Sequence, residues 1–203
     1  MEKNIISVKE KYRQYLKNIR NKLDNYSIEI KSDKIFEKII VQPEYLNANK
    51  IIIYCSKEKE VQTEKIIKYS LSKGKKIIVP ITNTQKRILE FSELKDFDKE
   101  LQISTFNIPE PKKEYIRPFN INDADLIIVP GLGFDKSGVR IGYGHGYFDK
   151  ALTLIKNSVP IFGLAFESQV VEKLPTLSHD IKVHRIITEE RIINCNINND
   201  KDN

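Results

Sequence analysis

Six of the chain's eight glycines fall between residues 131 and 146, inside Pro130-Gly-Leu-Gly-Phe-Asp-Lys-Ser-Gly-Val-Arg-Ile-Gly-Tyr-Gly-His-Gly-Tyr-Phe-Asp149. Glycine reaches backbone conformations closed to other residues and lets N–H groups approach a ligand with no Cβ in the way. The apolar run at 125–129 reads as a buried strand entering this segment, and 147–155 reads as a helix leaving it. A glycine-rich link between a strand and a helix start gathers free N–H groups and the positive end of the helix dipole, which favours anions. Arg140, inside the segment, adds a forked cation suited to phosphate. A phosphate site is therefore the first expectation, and a purely structural glycine cluster is its competitor.

The chain's 203 residues suffice for one good core, and a single domain over 1–203 is expected. Charged residues make up 31% and the net charge is +6. The lysines are interleaved with acids rather than blocked, so an anionic substrate explains the excess better than nucleic acid. Cys55 and Cys195 form no CxxC pair, which argues against a zinc site or a disulfide framework and for reduced thiols in a cytoplasmic protein. No apolar run approaches the ~20 residues needed to span a bilayer, so no membrane partner is expected.

Residues 7–24 have a helical rhythm, with Val8, Tyr12, Tyr15, Ile19 and Leu23 on one stripe and Lys9, Arg13, Lys17 and Arg20 on another. The basic stripe reads either as a solvated face or as a surface turned to a polyphosphate. Residues 27–41 read as a second helix with Ile30, Ile35, Ile39 and Ile40 inward, ended by Gln42-Pro43. A buried strand at 51–55, a helix at 63–72 stopped by Gly74, and a strand at 76–79 ended by Pro80 make a strand–helix–strand unit, which implies a parallel sheet. Ligands of such sheets bind beyond the strands' carboxyl ends, which puts Glu60 and the glycine segment on one edge. Residues 87–91 read as a further strand, antiparallel to a neighbour. The stretch 101–118 has no rhythm, but its stiff Phe106-Asn-Ile-Pro-Glu-Pro111 suits the wall of a planar ligand. Strands at 159–166 and 183–188, a short helix at 170–174 and a frayed tail at 194–203 complete the chain.

The glycine segment fails the dinucleotide fingerprint, because Tyr147 and Lys136 stand where its third glycine would be, and it lacks the Gly-Lys-Ser/Thr end of a P-loop. Asp149, in the first helical turn, answers the helix dipole or, beside phosphate, ligates Mg²⁺. Asp180 on its own reads as a solvated loop carboxylate. His145, His179 and His184 have no metal-like spacing.

Residues 130–136 with Gly138, Arg140 and 142–149 resemble the signature of the 5-formyltetrahydrofolate cyclo-ligase family, also called methenyltetrahydrofolate synthetases. Lys9 and Arg13 are similar to the family's nucleotide-contacting pair, Glu60-Val-Gln-Thr63 to its substrate segment, and residues 106–111 to its folate-flanking loop. Residues 165–169 and 179–183 match its last landmarks, so the resemblance spans about 7–188. It implies an α/β fold, an open three-layer α/β/α sandwich with a Rossmann-like, mostly parallel sheet. It implies MgATP-dependent closure of 5-formyltetrahydrofolate, with or without a polyglutamate tail, to 5,10-methenyltetrahydrofolate by a cytoplasmic monomer. Lys9, Arg13 and Arg140 with Gly142, Tyr143, Gly144, His145, Gly146, Tyr147 and Asp149 would hold ATP, with Arg140 and Lys9 carrying the transfer. Asp149 and Asp180 would hold Mg²⁺, while Glu60, Phe106, Tyr143, His145, Tyr147 and Phe148 would line the folate pocket. The chain departs from the family at His145, where some members carry lysine, at Phe148, where many carry tyrosine, and at Phe106, where some carry tryptophan. Another phosphorylated-ligand enzyme on a similar sheet and a basic nucleic-acid-binding protein are the alternatives.

Overall fold

The computed structural model describes residues 2–156, 158–177 and 180–195, with side chains from residue 5 onward. In chain order the helices are α1 (Glu2–Asn21), α2 (Asn25–Ile39), α3 (Pro43–Asn47), α4 (Glu64–Ser72), α5 (Phe97–Glu100) and α6 (Tyr147–Leu152). The strands are β1 (Lys50–Ile53), β2 (Lys76–Asn83), β3 (Ile88–Leu94), β4 (Leu101–Ile103), β5 (Pro109–Pro111), β6 (Leu126–Val129), β7 (Gly133–Asp135), β8 (Arg140–Ile141), β9 (Ile161–Leu164), β10 (Val170–Val171), β11 (Arg185–Ile187) and β12 (Ile192–Asn194). Seven strands form the central sheet in the order β12-β11-β9-β6-β1-β2-β3. Its five inner strands are parallel and the two edges, β3 and β12, are antiparallel.

The sheet is buried on both faces, which is why its strands are unbroken β-branched runs rather than alternating ones. Ile51, Ile53, Ile77, Val79 and Ile128 pack towards α2 and α4, whose Ile35, Ile39, Ile66 and Ile67 are wholly buried. Ile52, Ile78, Ile127 and Val129 point the other way, onto Ala151 and Leu152 of α6 and onto Phe134. The expected three layers are present. From β1 the chain proceeds outward through β2 to β3, and from β6 outward through β9 and β11 to β12. The order therefore reverses between β1 and β6, the position where such sheets open a crevice beyond their carboxyl ends.

Several expectations need correction. Pro80 does not end β2, which runs on to Asn83; its register with β1 stops at Ile78, and beyond that it pairs with β3 alone, so the missing N–H interrupts nothing. Residues 170–174 are not a helix: Val170 and Val171 pair with Phe134 and Asp135, and a sheet partner overrides a weak helical rhythm. The glycine segment is a short β7–β8 hairpin before it becomes a loop, and the helix after it stops at Leu152. Pro43 opens α3 at its first turn, where its ring is preorganised. Residues 101–111 form the β4–β5 hairpin, and residue 194, assigned to a frayed tail, closes the edge strand β12. On α1 Tyr15 is 57% exposed, and on α2 Ile30 faces out. His179 and residues 196–203 lie outside the described residues.

Candidate active site

The hairpin after β6 is built around Asp135. Its Oδ1 accepts from Ser137 N at 2.9 Å, Ser137 Oγ at 2.7 Å and Val139 N at 3.1 Å, and its Oδ2 accepts from Leu174 N at 2.9 Å. Four donors on one buried carboxylate fix the turn. Helix α1 lies directly on this hairpin through Leu16, which is 0% exposed. A Cβ on Gly133 would run into Leu16 Cδ1 and stand 2.9 Å from the Gln169 carbonyl oxygen. Glycine is required there because helix and hairpin touch, and the docking turns the basic stripe of α1 onto the glycine loop.

That stripe is therefore not a solvated face except at Lys17, which is exposed. Lys9 is 6% exposed and pairs with Asp180. Arg13 Nε donates to the Gly142 carbonyl at 3.2 Å. Arg20, 4% exposed, donates to the Tyr143 hydroxyl and stands 3.9 Å from Glu60 Oε1. Tyr143 in turn donates to Glu60, whose other oxygen accepts Lys57 N at 3.0 Å. Burial first, and the Glu60 charge second, push the Tyr143 hydroxyl far above its usual range, so it stays protonated and remains a donor. Lys57 holds its ammonium 4.0 Å from the Tyr143 ring centre; burial lowers its pKa, with Arg20 and Lys17 pushing the same way and Glu60 opposing.

Arg140 ends the hairpin. Its Nη1 donates to the Pro130 carbonyl at 3.2 Å, its Nη2 pairs with Asp149, and its Nε is buried with no partner. Asp180 accepts from Lys9, from Leu177 N at 2.7 Å and from Thr176 Oγ1 at 3.3 Å. Burial alone would raise its carboxyl; the bonds from Lys9 and Leu177 outweigh that and hold it below 3.8. On the far side, His145 stacks on Phe106 with ring centres 5.0 Å apart at 17°, and Tyr147 lies 6.2 Å from Phe106.

Every residue assigned in the sequence to the ATP, folate or Mg²⁺ site lines one of two cavities. One, of about 320 Å³, is lined by Glu60, Phe106, Arg140, Gly142, Tyr143, His145, Gly146, Tyr147, Phe148 and Asp149. The other, of about 470 Å³, is lined by Lys9, Arg13, Gly142, Gly144, Gly146, Asp149 and Asp180. Gly142, Gly146 and Asp149 belong to both, so the glycine loop is the wall between them. The first cavity has an apolar, aromatic mouth that suits a planar ring. The second carries Lys9 and Arg13 with two carboxylates, the chemistry of a metal–polyphosphate. Residues not assigned to the site also line the first cavity: Lys17 of the basic stripe, Lys57, Thr82 and Glu110. The Glu110 side chain was legible only as the middle of Pro109-Glu-Pro111.

The family model for 5-formyltetrahydrofolate cyclo-ligases matches residues 5–189. The chain belongs to the 5-formyltetrahydrofolate cyclo-ligase family. Among its relatives, the 5-formyltetrahydrofolate cyclo-ligase of Mus musculus is 33% identical over 76% of this chain and 80% of its own. That of Haemophilus influenzae is 30% identical over 71% of this chain and 78% of its own. The solved structure of the Aquifex aeolicus 5,10-methenyltetrahydrofolate synthetase is 28% identical, superposes with a TM-score of 0.80 and covers 92% of both chains. The family resemblance on residues 130–149 and the open, mostly parallel sheet are thus upheld together. The family match favours this reading over another phosphorylated-ligand enzyme on a similar sheet and over a basic nucleic-acid-binding protein.

Proposed function

We propose that the protein closes 5-formyltetrahydrofolate to 5,10-methenyltetrahydrofolate at the expense of ATP, with the triphosphate in the larger cavity and the folate in the smaller. The observation that carries this reading is the shared wall of Gly142, Gly146 and Asp149: two ligands meeting there react without either leaving its own cavity. The formyl oxygen attacks the γ-phosphorus, and the electron pair of the broken P–O bond leaves with ADP. The amine nitrogen of the aminobenzoyl arm then adds to the activated formyl carbon and gives up its proton. The C–O bond breaks with its electron pair on phosphate, and the ring is closed.

Phosphoryl transfer asks the protein for position and positive charge rather than covalent help. Lys9 and Arg13 supply the charge in the larger cavity, and Arg140, which lines the smaller one, supplies it from the shared wall through its pairing with Asp149. Asp149 and Asp180 would hold Mg²⁺. Among the described residues no group of three or more acidic, histidine or cysteine side chains could cage a metal. That fits Mg²⁺, which is commonly held by one or two carboxylates and completed by substrate phosphates and water. Bound there, the ion would neutralise charge on the phosphates and align them. Glu60 hydrogen-bonds the pterin, and Phe106, His145, Tyr147 and Phe148 shape the folate cavity. Tyr143 serves both by holding Glu60 and shaping the glycine loop. All these groups come from one chain, so a monomer suffices, and the two free cysteines suit the reducing cytoplasm.

The test is direct. Folded protein, 5-formyltetrahydrofolate and MgATP should give the absorbance of methenyltetrahydrofolate with one ADP per turnover. No product, or product without ATP, would sink the reading.

A further inference from the structure

The five buried acidic side chains of the described residues are Glu60, Glu100, Glu110, Asp135 and Glu189. Four of them are engaged at both oxygens. Glu60 holds Tyr143 and Lys57 N. Glu100 takes both arms of Arg117 at 2.8 Å and Lys95 N at 2.9 Å. Glu189 holds Lys31 and Glu167 N, and Asp135 has its four donors. Glu110 is the exception. It is 4% exposed, its Oε1 accepts Thr82 N at 2.9 Å, and its Oε2 has no partner in the protein. It forms no ion pair among the described residues, yet it lines the folate cavity beside Cys55, Thr82, Leu89 and Ile108. Its negative charge is felt there: burial first, and Glu110 second, push the Cys55 thiol up to about 12.

The Glu110 Oε2 is not among the fully buried unpartnered atoms of the described residues, so it opens onto the cavity, where a ligand N–H can take the place of water. The Pro109 and Pro111 rings that flank it restrict the backbone, and β5 is pinned to β4 by pairing on both sides of it, so the side chain cannot easily swing out to water. The same cavity is lined by Leu89, Phe106 and Ile108, which suits a donor carried on a flat ring. Resting on the functional reading above, we propose that Glu110 is a substrate-binding residue whose free oxygen accepts an N–H from the aminopyrimidinone ring of the pterin. That ring carries an amino group and further ring N–H donors, and Glu60, whose oxygens each already accept one bond from the protein, leaves donors for a second carboxylate. Glu110 thereby makes the cavity selective for a pterin over a ring that presents acceptors at the same edge.

Glu110→Gln is the deciding variant. The amide oxygen can keep the Thr82 bond, and the amide nitrogen turns a donor towards the ligand's donor. The dissociation constant for 5-formyltetrahydrofolate, measured by calorimetry without ATP, should rise about 10- to 100-fold, the loss expected of a charge-assisted hydrogen bond. The KM for MgATP and the unfolding midpoint of the free protein should stay as they are. An unchanged folate dissociation constant overturns the inference, and so does an equal weakening of folate and ATP, which would mark a structural role. If the Gln variant does not fold, Glu110→Asp, which keeps the charge and withdraws it by one methylene, carries the same expectation. The two readings fail differently. Wild-type protein that makes no methenyltetrahydrofolate refutes the function, and this inference falls with it. Active wild-type protein beside a Gln variant of unaltered folate affinity refutes the role of Glu110 alone.

Discussion

Asp149 is held by Arg140 at the wall between the two cavities, with its side chain partly open to solvent. If it also holds Mg²⁺, Asp149→Asn should raise the half-saturating Mg²⁺ concentration by about 10-fold or more, measured by metal titration of turnover. An unchanged titration removes Asp149 from the metal set. Phe106 makes a second point at this scale. It sits at φ 59°, ψ 26°, a left-handed conformation that is a genuine outlier for a bulky side chain, and Asn107 follows it at φ 57°. Such positions cost about 1–3 kcal/mol each and persist where function requires them. Phe106 is 45% exposed and stacks only on other rings of the cavity mouth. Phe106→Asn, a residue that tolerates this backbone, should therefore raise the melting temperature while weakening folate binding. A variant that melts lower and binds as before would contradict both halves. The sequence marked Phe106 as a wall residue; its strain was invisible there, because nothing local in Thr-Phe-Asn-Ile demands a left-handed turn.

Helix α1 is where the sequence was most ambiguous. Spacing put Lys9, Arg13, Lys17 and Arg20 on one stripe but could not say what that stripe faced. The periodicity also put Tyr15 on the apolar stripe and passed over Leu16, since a helix packed along one edge of a hairpin buries a narrower band than its apolar pattern suggests. Leu16 is the contact that docks the helix. Leu16→Ala should lower stability by about 2–5 kcal/mol in chemical denaturation and raise the KM for MgATP, because Lys9 and Arg13 ride on the same helix. Tyr15→Ala, on the open side, should leave stability within about 0.5 kcal/mol and the KM unaltered. If both variants behave alike, Leu16 does not dock the helix. The glycine segment shows the opposite balance. Its glycines were plain in the sequence, but the hairpin inside it was not, because β10, its partner, lies about 35 residues further on and reads locally as helix.

Across the whole molecule the two ends of the described chain are tied by charge: Lys9 from the first helix bonds Asp180 from the loop before β11. The folded state holds the Asp180 carboxyl below 3.8, so it prefers the ionised form more than the unfolded chain does. The stability this contributes is complete above 3.8 and is lost as pH falls from there through the lowered folded value. Asp180→Asn should therefore narrow the stability difference from wild type as the pH drops through that window, followed by denaturant unfolding at successive pH values. A difference that stays constant with pH would show that the pair does not act through its charge. The fold class was legible in the chain because β-branched runs alternating with helical spacing admit a parallel sheet and little else. Sequence alone also determined the chemistry available: glycines in one segment, an arginine among them, carboxylates at 60, 149 and 180, basic residues near the start. Only the tertiary structure decided their arrangement. It turned the basic stripe inward, made the glycine loop a partition between two cavities rather than the floor of one, and left Glu110 with a vacant oxygen where Glu60 has none. These are outcomes of long-range packing, of Leu16 on Gly133 and of the strand order reversing between β1 and β6, and no window of sequence contains both partners of either.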